Sequence, residues 1–239
     1  MMNCKNCNSE ANLNFCPNCG QPTKLPRIDG HYIKHEIEHL LHFEHGLFFT
    51  IKELLTKPGD TIRHYLSENR SRLVKPIIFI IVTSLLYALS NNIFHFEDEY
   101  ISYVGNKESA TTAIFTWIQG HYGYANIIMG IFIAMWTKLF FKKKMFNFFE
   151  ILILLCFVMG ITMLIYTVFG IAQSIMNVKI IHYAGIVGFA YTSWAVGSFF
   201  ENNKFLAYLK AFFAYLLGMV NFALAAVLIG KLIDLVIKH

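Results

Sequence analysis

The chain reads as an all-α polytopic membrane protein of about five transmembrane helices, preceded by a small cysteine-bearing N-terminal knob. Three observations carry that reading. Of 239 residues, 56% are hydrophobic and 15% charged, with 23 phenylalanines, well away from soluble composition. The charge is uneven, since residues 1–75 hold 18 of the 35 Asp, Glu, Lys and Arg side chains. Four of the 5 cysteines crowd the first twenty positions as Cys4-x-x-Cys7 and Cys16-x-x-Cys19. These breaks divide the chain into a knob at 1–24, cytoplasmic amphipathic juxtamembrane helices at 25–75 and a transmembrane bundle at 76–239.

The knob reads as a zinc ribbon. A tetrahedral ion takes four soft donors, and each CxxC turn presents two thiolates to one side of it. Gly20 follows Cys19, as a tight turn packed against a thiolate requires. Asn8 follows Cys7 and tolerates a left-handed conformation. A redox dithiol would sit in a βαβ pattern, and none surrounds these residues. Cys4, Cys7, Cys16 and Cys19 are therefore expected to hold one structural Zn2+ that leaves no coordination position open for catalysis. A segment this short buries too little apolar surface to fold alone, so the metal supplies its folding energy. Its expected use is as a docking surface for a cytoplasmic protein partner. The first residues are polar, which sets the expectation of thiols kept in a reducing cytoplasm.

From His31 to His45 lie five of the 10 histidines. At 100° per residue His31, His35, His39 and His42 share an arc of about 80°, with Ile33, Ile37, Leu40, Leu41, Leu47 and Phe48 opposite. This is an amphipathic helix suited to the headgroup layer, and its histidine stripe is either a solvated face or a second metal or pH-sensing site. His35-Glu36-Ile37-Glu38-His39 also fits the HExxH pattern of zinc peptidases. That chemistry needs a third ligand and an uncharged residue where Glu38 stands.

The run that follows is Gly46-Leu47-Phe48-Phe49-Thr50, then Lys57-Pro58-Gly59-Asp60, Tyr65, Arg70 and Lys75-Pro76. Pro58 and Gly59 are expected to stop one helix and Asp60 to cap the next. Arg63, Arg70, Arg72 and Lys75 form a basic group before the first span, each side chain contributing about 1 kcal/mol to anionic-lipid binding at a membrane surface. With the paired CxxC motifs, the G-L-x-x-T segment, the Pro-Gly, this tyrosine and arginine, and Glu150 opening a later span, the chain resembles a family of small bacterial zinc-ribbon membrane proteins catalogued as domain of unknown function 3667. Glu68-Asn69-Arg70 departs from the Gly-Lys-Arg expected there. The resemblance implies architecture and a bacterial cytoplasmic membrane, and no reaction.

Five apolar stretches approach the 20 or so residues that cross a bilayer, at 76–95, 124–141, 149–172, 181–200 and 205–230. Ser90, Asn91 and Asn92 end the first apolar run early, and residues 111–123 mix Phe115, Trp117 and Ile118 with Gln119, Gly120 and His121, as interfacial or re-entrant segments do. Lys138, Lys142, Lys143 and Lys144 follow the second span, and Glu97, Asp98, Glu99 and Glu108 precede it, so the amino terminus is expected in the cytoplasm. Five spans put the carboxyl terminus outside, against the preference of Lys231 and Lys238.

Inside the spans polar groups are few, chiefly Asn221, Thr162 and Gln173, which disfavours an ion-coupled pump. Ala184, Gly188, Ser193 and Gly197 suggest close helix packing and leave a homo-oligomer open. Cys156 is a small hydrophobe in an apolar helix. Three functions remain: a non-enzymatic scaffold or sensor whose ribbon recruits a protein or anionic lipid, a small-solute channel or transporter, and a zinc metallopeptidase. Residues 1–75 carry ten basic and eight acidic side chains, a balance that argues against nucleic acid.

Overall fold

The structure is a computed structural model that describes residues 2–3, 9–11, 15, 17–18, 46–68, 72–96, 109–200 and 205–237. It separates into two compact units, Met1–Glu44 and His45–His239. In the first, β1 (Met2–Asn3) pairs antiparallel with β2 (Glu10–Ala11), Met2 opposite Ala11 and Asn3 opposite Glu10. Cys4, Cys7, Cys16 and Cys19, the histidine helix with His31, His35, His39 and His42, and Arg70 lie outside the described residues.

The second unit is helical. A hairpin of α1 (Leu47–Thr56) and α2 (Pro58–Ser67) leads to α3 (Pro76–Phe94). The short α4 (Ala110–Gly120) is followed by α5 (Tyr122–Phe140), α6 (Phe148–Met176), α7 (Ile181–Phe200) and α8 (Phe205–Ile237). Local chemistry sets several boundaries. Prolines open α2 and α3 at positions that need no amide donor. Ser109 caps α4, its Oγ accepting from the Thr112 amide at 3.2 Å. Asn147 and Glu150 form a capping box on α6, with bonds of 2.9 and 2.7 Å. His95 and Asn177 take left-handed conformations that end α3 and α6.

The cap expected at Asp60 is not formed. Lys57 occupies the N-cap of α2 and Asp60 sits inside its first turn. Proline, pre-set to the helical φ, starts the helix earlier than a carboxylate signal does.

Among the described residues four helices, α3, α5, α6 and α8, are long and apolar enough to cross a bilayer, which makes this a multi-pass membrane protein. The expected count was about five. The remaining stretch does form one continuous helix, α7, of 20 residues. Its small, hydroxylated and aromatic side chains, among them Gly185, Gly188, Thr192, Ser193 and Gly197, dilute its apolar character. With 11 residues α4 rises only about 17 Å, short of a hydrocarbon core near 30 Å, in keeping with its expected non-spanning role.

The helix α6 is the axis of the bundle. Some 61% of its apolar window is buried, against 28% for α3 and 22% for α8, because α3, α5, α7 and the α1–α2 hairpin all pack on it while α8 closes the far side against α5 and α7. Leu154, Leu155, Phe157, Val158 and Cys156 fill its buried face. The small residues of α7 serve this packing: a side chain at Gly188 would meet Thr162 of α6, and Gly197 lies under the ring of Tyr208 from α8. Contacts also define the two ends. Phe141 stacks on Phe200 at 4.0 Å, Phe146 meets Phe199, and α2 reaches Ser198; this end carries Lys142, Lys143 and Lys144. At the opposite end Gln173 donates to the Phe96 carbonyl and accepts from the Ile180 and Ile181 amides at 3.0 Å, and Asp234 accepts from the Ala110 amide at 2.7 Å.

Candidate functional site

The expected juxtamembrane region, from residue 46 onward, is built into the bundle rather than laid beside it. Leu54 and Ile62 are fully buried, one from each arm of the hairpin, and Tyr65 meets Phe157 of α6 edge to face at 5.2 Å. The composition break at Pro76 is thus not a packing break. Thr50, also fully buried, accepts from the Val74 amide at 3.1 Å and ties the start of α1 to the segment entering α3. The Tyr191 hydroxyl of α7 donates to the Leu54 carbonyl at 3.1 Å.

The hairpin and α7 meet backbone to backbone where α2 begins. A Cβ on Gly59 would stand 2.5 Å from the Ser198 carbonyl carbon and 2.6 Å from its oxygen, so only a glycine lets the two backbones meet. One turn later Arg63 donates to the Ser198 and Phe199 carbonyls at 2.7 and 2.6 Å and pairs with Asp60. A guanidinium on the last carbonyls of α7 satisfies groups the helix leaves unpaired and complements its negative end. Of the basic residues anticipated at the membrane surface, Arg63 therefore faces the bundle. Arg72 lies over the Phe49 ring at 5.3 Å and pairs with Glu53 at 3.5 Å, and Lys75 is the N-cap of α3.

Beside this junction lies a pocket of about 250 Å³ lined by Thr56, Lys57, Pro58, Gly59, Asp60, Trp194, Ser198 and Tyr208. Three elements build it: the α1–α2 turn, the last two turns of α7 and the first turn of α8. Elsewhere the polar residues noted inside the spans are dispersed. Thr162 is buried, donates to the Val158 carbonyl at 3.0 Å and lies 3.4 Å from the Thr192 hydroxyl, whereas Asn221 is half-buried on α8. Among the described residues no three His, Cys, Asp or Glu side chains converge as a metal site.

Sequence reasoning singled out Gly59 and Thr50 within motifs but not their partners. The bonds from Arg63 and Tyr191 span 135 to 137 positions, a separation that no local pattern signals.

A family model described as protein of unknown function (DUF3667) matches residues 44–88. That segment takes in the whole hairpin and most of α3, so the resemblance read from the motifs holds over the part of the chain that makes these contacts. No curated protein and no solved structure matches the chain.

Proposed function

From a family match centred on a docked hairpin, we propose that this protein is a non-enzymatic membrane scaffold or sensor: the bundle holds the hairpin rigid, and the cysteine-rich unit before it recruits a partner. The observation that carries the reading is the hairpin itself. One face is locked to α6 and α7 by Leu54, Ile62, Tyr65 and the bonds of Arg63, which makes it a fixed part of the bundle. A well-packed interior supports the same view. The buried polar side chains described are Thr50, Thr83, Ser84, Asn126, Thr137, Thr162, Thr167, Gln173 and Thr192, with no Asp, Glu, Lys, Arg or His among them.

In this proposal Cys4, Cys7, Cys16 and Cys19 hold one structural Zn2+, the chemistry that paired thiolates favour. The bilayer is that of a bacterial cytoplasmic membrane, with the hairpin end inside. Lys142, Lys143 and Lys144 sit at the hairpin end, while Glu97, Asp98, Glu99 and Glu108 fall in the sequence between α3 and α4, the distribution favoured by basic cytoplasmic loops.

The test is elemental analysis of the purified full chain, wild type beside Cys16→Ser and beside the double variant His35→Ala with His39→Ala, followed by cross-linking in whole cells. The expected result is one zinc per chain, lost only with Cys16→Ser, together with a cross-linked species that disappears in the same variant. A zinc equivalent lost only with the histidine pair would overturn the proposal and make the helix over 31–45 the place of chemistry.

A further inference from the structure

We propose that the pocket between the α1–α2 turn, α7 and α8 binds the phosphodiester headgroup of an anionic phospholipid drawn from the surrounding leaflet. The inference rests on α7 crossing the bilayer with the rest of the bundle and is independent of the zinc unit.

Its level in the bilayer comes first. Trp194 lies six residues before the end of α7 and Tyr208 three after the start of α8. At 1.5 Å per residue these are about 9 and 5 Å below the helix ends, the depth at which amphipathic rings meet headgroups. Gly197 permits the arrangement, because a side chain there would displace the Tyr208 ring.

The lining chemistry is that of an anion subsite. Lys57 is exposed and has no ion-pair partner among the described residues. Neither the Trp194 indole N–H nor the Tyr208 hydroxyl has a hydrogen-bond partner among them, which leaves both donors available to a ligand. Residues bearing three donors, one from each of three elements, thus line one cavity of about 250 Å³, together with Thr56, whose hydroxyl donates to the Lys52 carbonyl at 2.8 Å. The acidic group lining it, Asp60, is paired with Arg63, so among the described residues the pocket and its immediate support carry one net positive charge. A diester with a neutral headgroup matches that charge, and a choline headgroup sets a second cation against Lys57.

Binding is measured by titrating the purified full chain in neutral detergent with dioctanoyl phosphatidylglycerol, dioctanoyl phosphatidylcholine and inorganic phosphate. The variants are Lys57→Gln, Trp194→Phe, and Lys142→Gln with Lys143→Gln. One saturable equivalent of the phosphatidylglycerol is expected, weakened about five-fold by Lys57→Gln, as one lysine at a membrane surface contributes. Trp194→Phe, which keeps an aromatic ring and removes the donor, should weaken it as well. The double lysine variant, at the same end but outside the pocket, should bind as wild type. Wild-type binding by both pocket variants overturns the proposal, as does an equal loss in the double variant, which marks diffuse surface charge. Equal affinity for the choline lipid overturns it too, and inorganic phosphate binding as tightly as the lipid overturns the lipid assignment.

Discussion

Replacing Gly59 by alanine probes the contact on which the hairpin depends. The new Cβ would stand 2.5 Å from the Ser198 carbonyl carbon and 2.6 Å from its oxygen, about 1 Å inside ordinary van der Waals contact, against backbone that has no rotamer with which to retreat. Overpacking of this kind costs about 1–3 kcal/mol. Moving α2 outward by that distance also stretches the Arg63 bonds to Ser198 and Phe199, now 2.7 and 2.6 Å, and so forfeits part of the roughly 1.5–3 kcal/mol that a charged hydrogen bond contributes. Alanine returns up to about 1 kcal/mol through helix propensity, leaving a net loss of about 2–3 kcal/mol. For a chain of this size that corresponds to a thermal midpoint lowered by about 5–10 °C, read by unfolding of the detergent-solubilised protein. Gly120→Ala is the matched control, since nothing lies within 4 Å of a Cβ there, and it should leave the midpoint unchanged or slightly raised. A Gly59→Ala midpoint within about 2 °C of wild type would show that α2 does not rest on the end of α7.

Arg63→Met removes both donors from the α7 carbonyls and should destabilise by about 2–3 kcal/mol, while Arg63→Lys, lacking the forked geometry, should recover only part of this; thermal melts of the pair check both. Asn147→Ala breaks the capping box of α6 and should cost about 1 kcal/mol in the same assay. Reporter fusions at Lys143, Lys179 and Asn203 test whether α7 crosses the membrane. The first and third are expected on one side and the second on the other, and opposite sides for Lys143 and Asn203 would exclude a crossing.

Membrane helices were legible because their signal is local. A run of apolar residues near the right length needs no partner to be recognised, and α3, α5, α6 and α8 lie close to where the hydropathy places them, with α6 and α8 running on to Met176 and Ile237 through residues of mixed polarity. The packing role of Gly188 and Gly197 was legible for a similar reason, since small residues at helical spacing mark a face. The start of α2 was misjudged because Lys57-Pro58-Gly59-Asp60 contains two competing signals, and the rigid φ of proline acts ahead of the carboxylate. Illegible altogether was the seat of the hairpin. The alternation of Leu54, Ile62 and Tyr65 with charged neighbours describes a helix on a membrane surface as well as one inserted against α6. What decides between them is the pairing of Gly59 and Arg63 with Ser198, visible only in three dimensions.

That pairing orders events during synthesis. Arg63 and the carbonyls it holds are 135 and 136 residues apart, and at the roughly 5–20 residues per second of translation the hairpin leaves the ribosome about 7–27 s before α7 exists to receive it. Through that interval Leu54, Ile62 and Tyr65 lack the cover that α7 supplies and have at most that of α6, so the nascent chain must shelter them in lipid or against a biogenesis factor. Fragments that end before α7 are then expected to be marked for degradation even when their own spans have inserted.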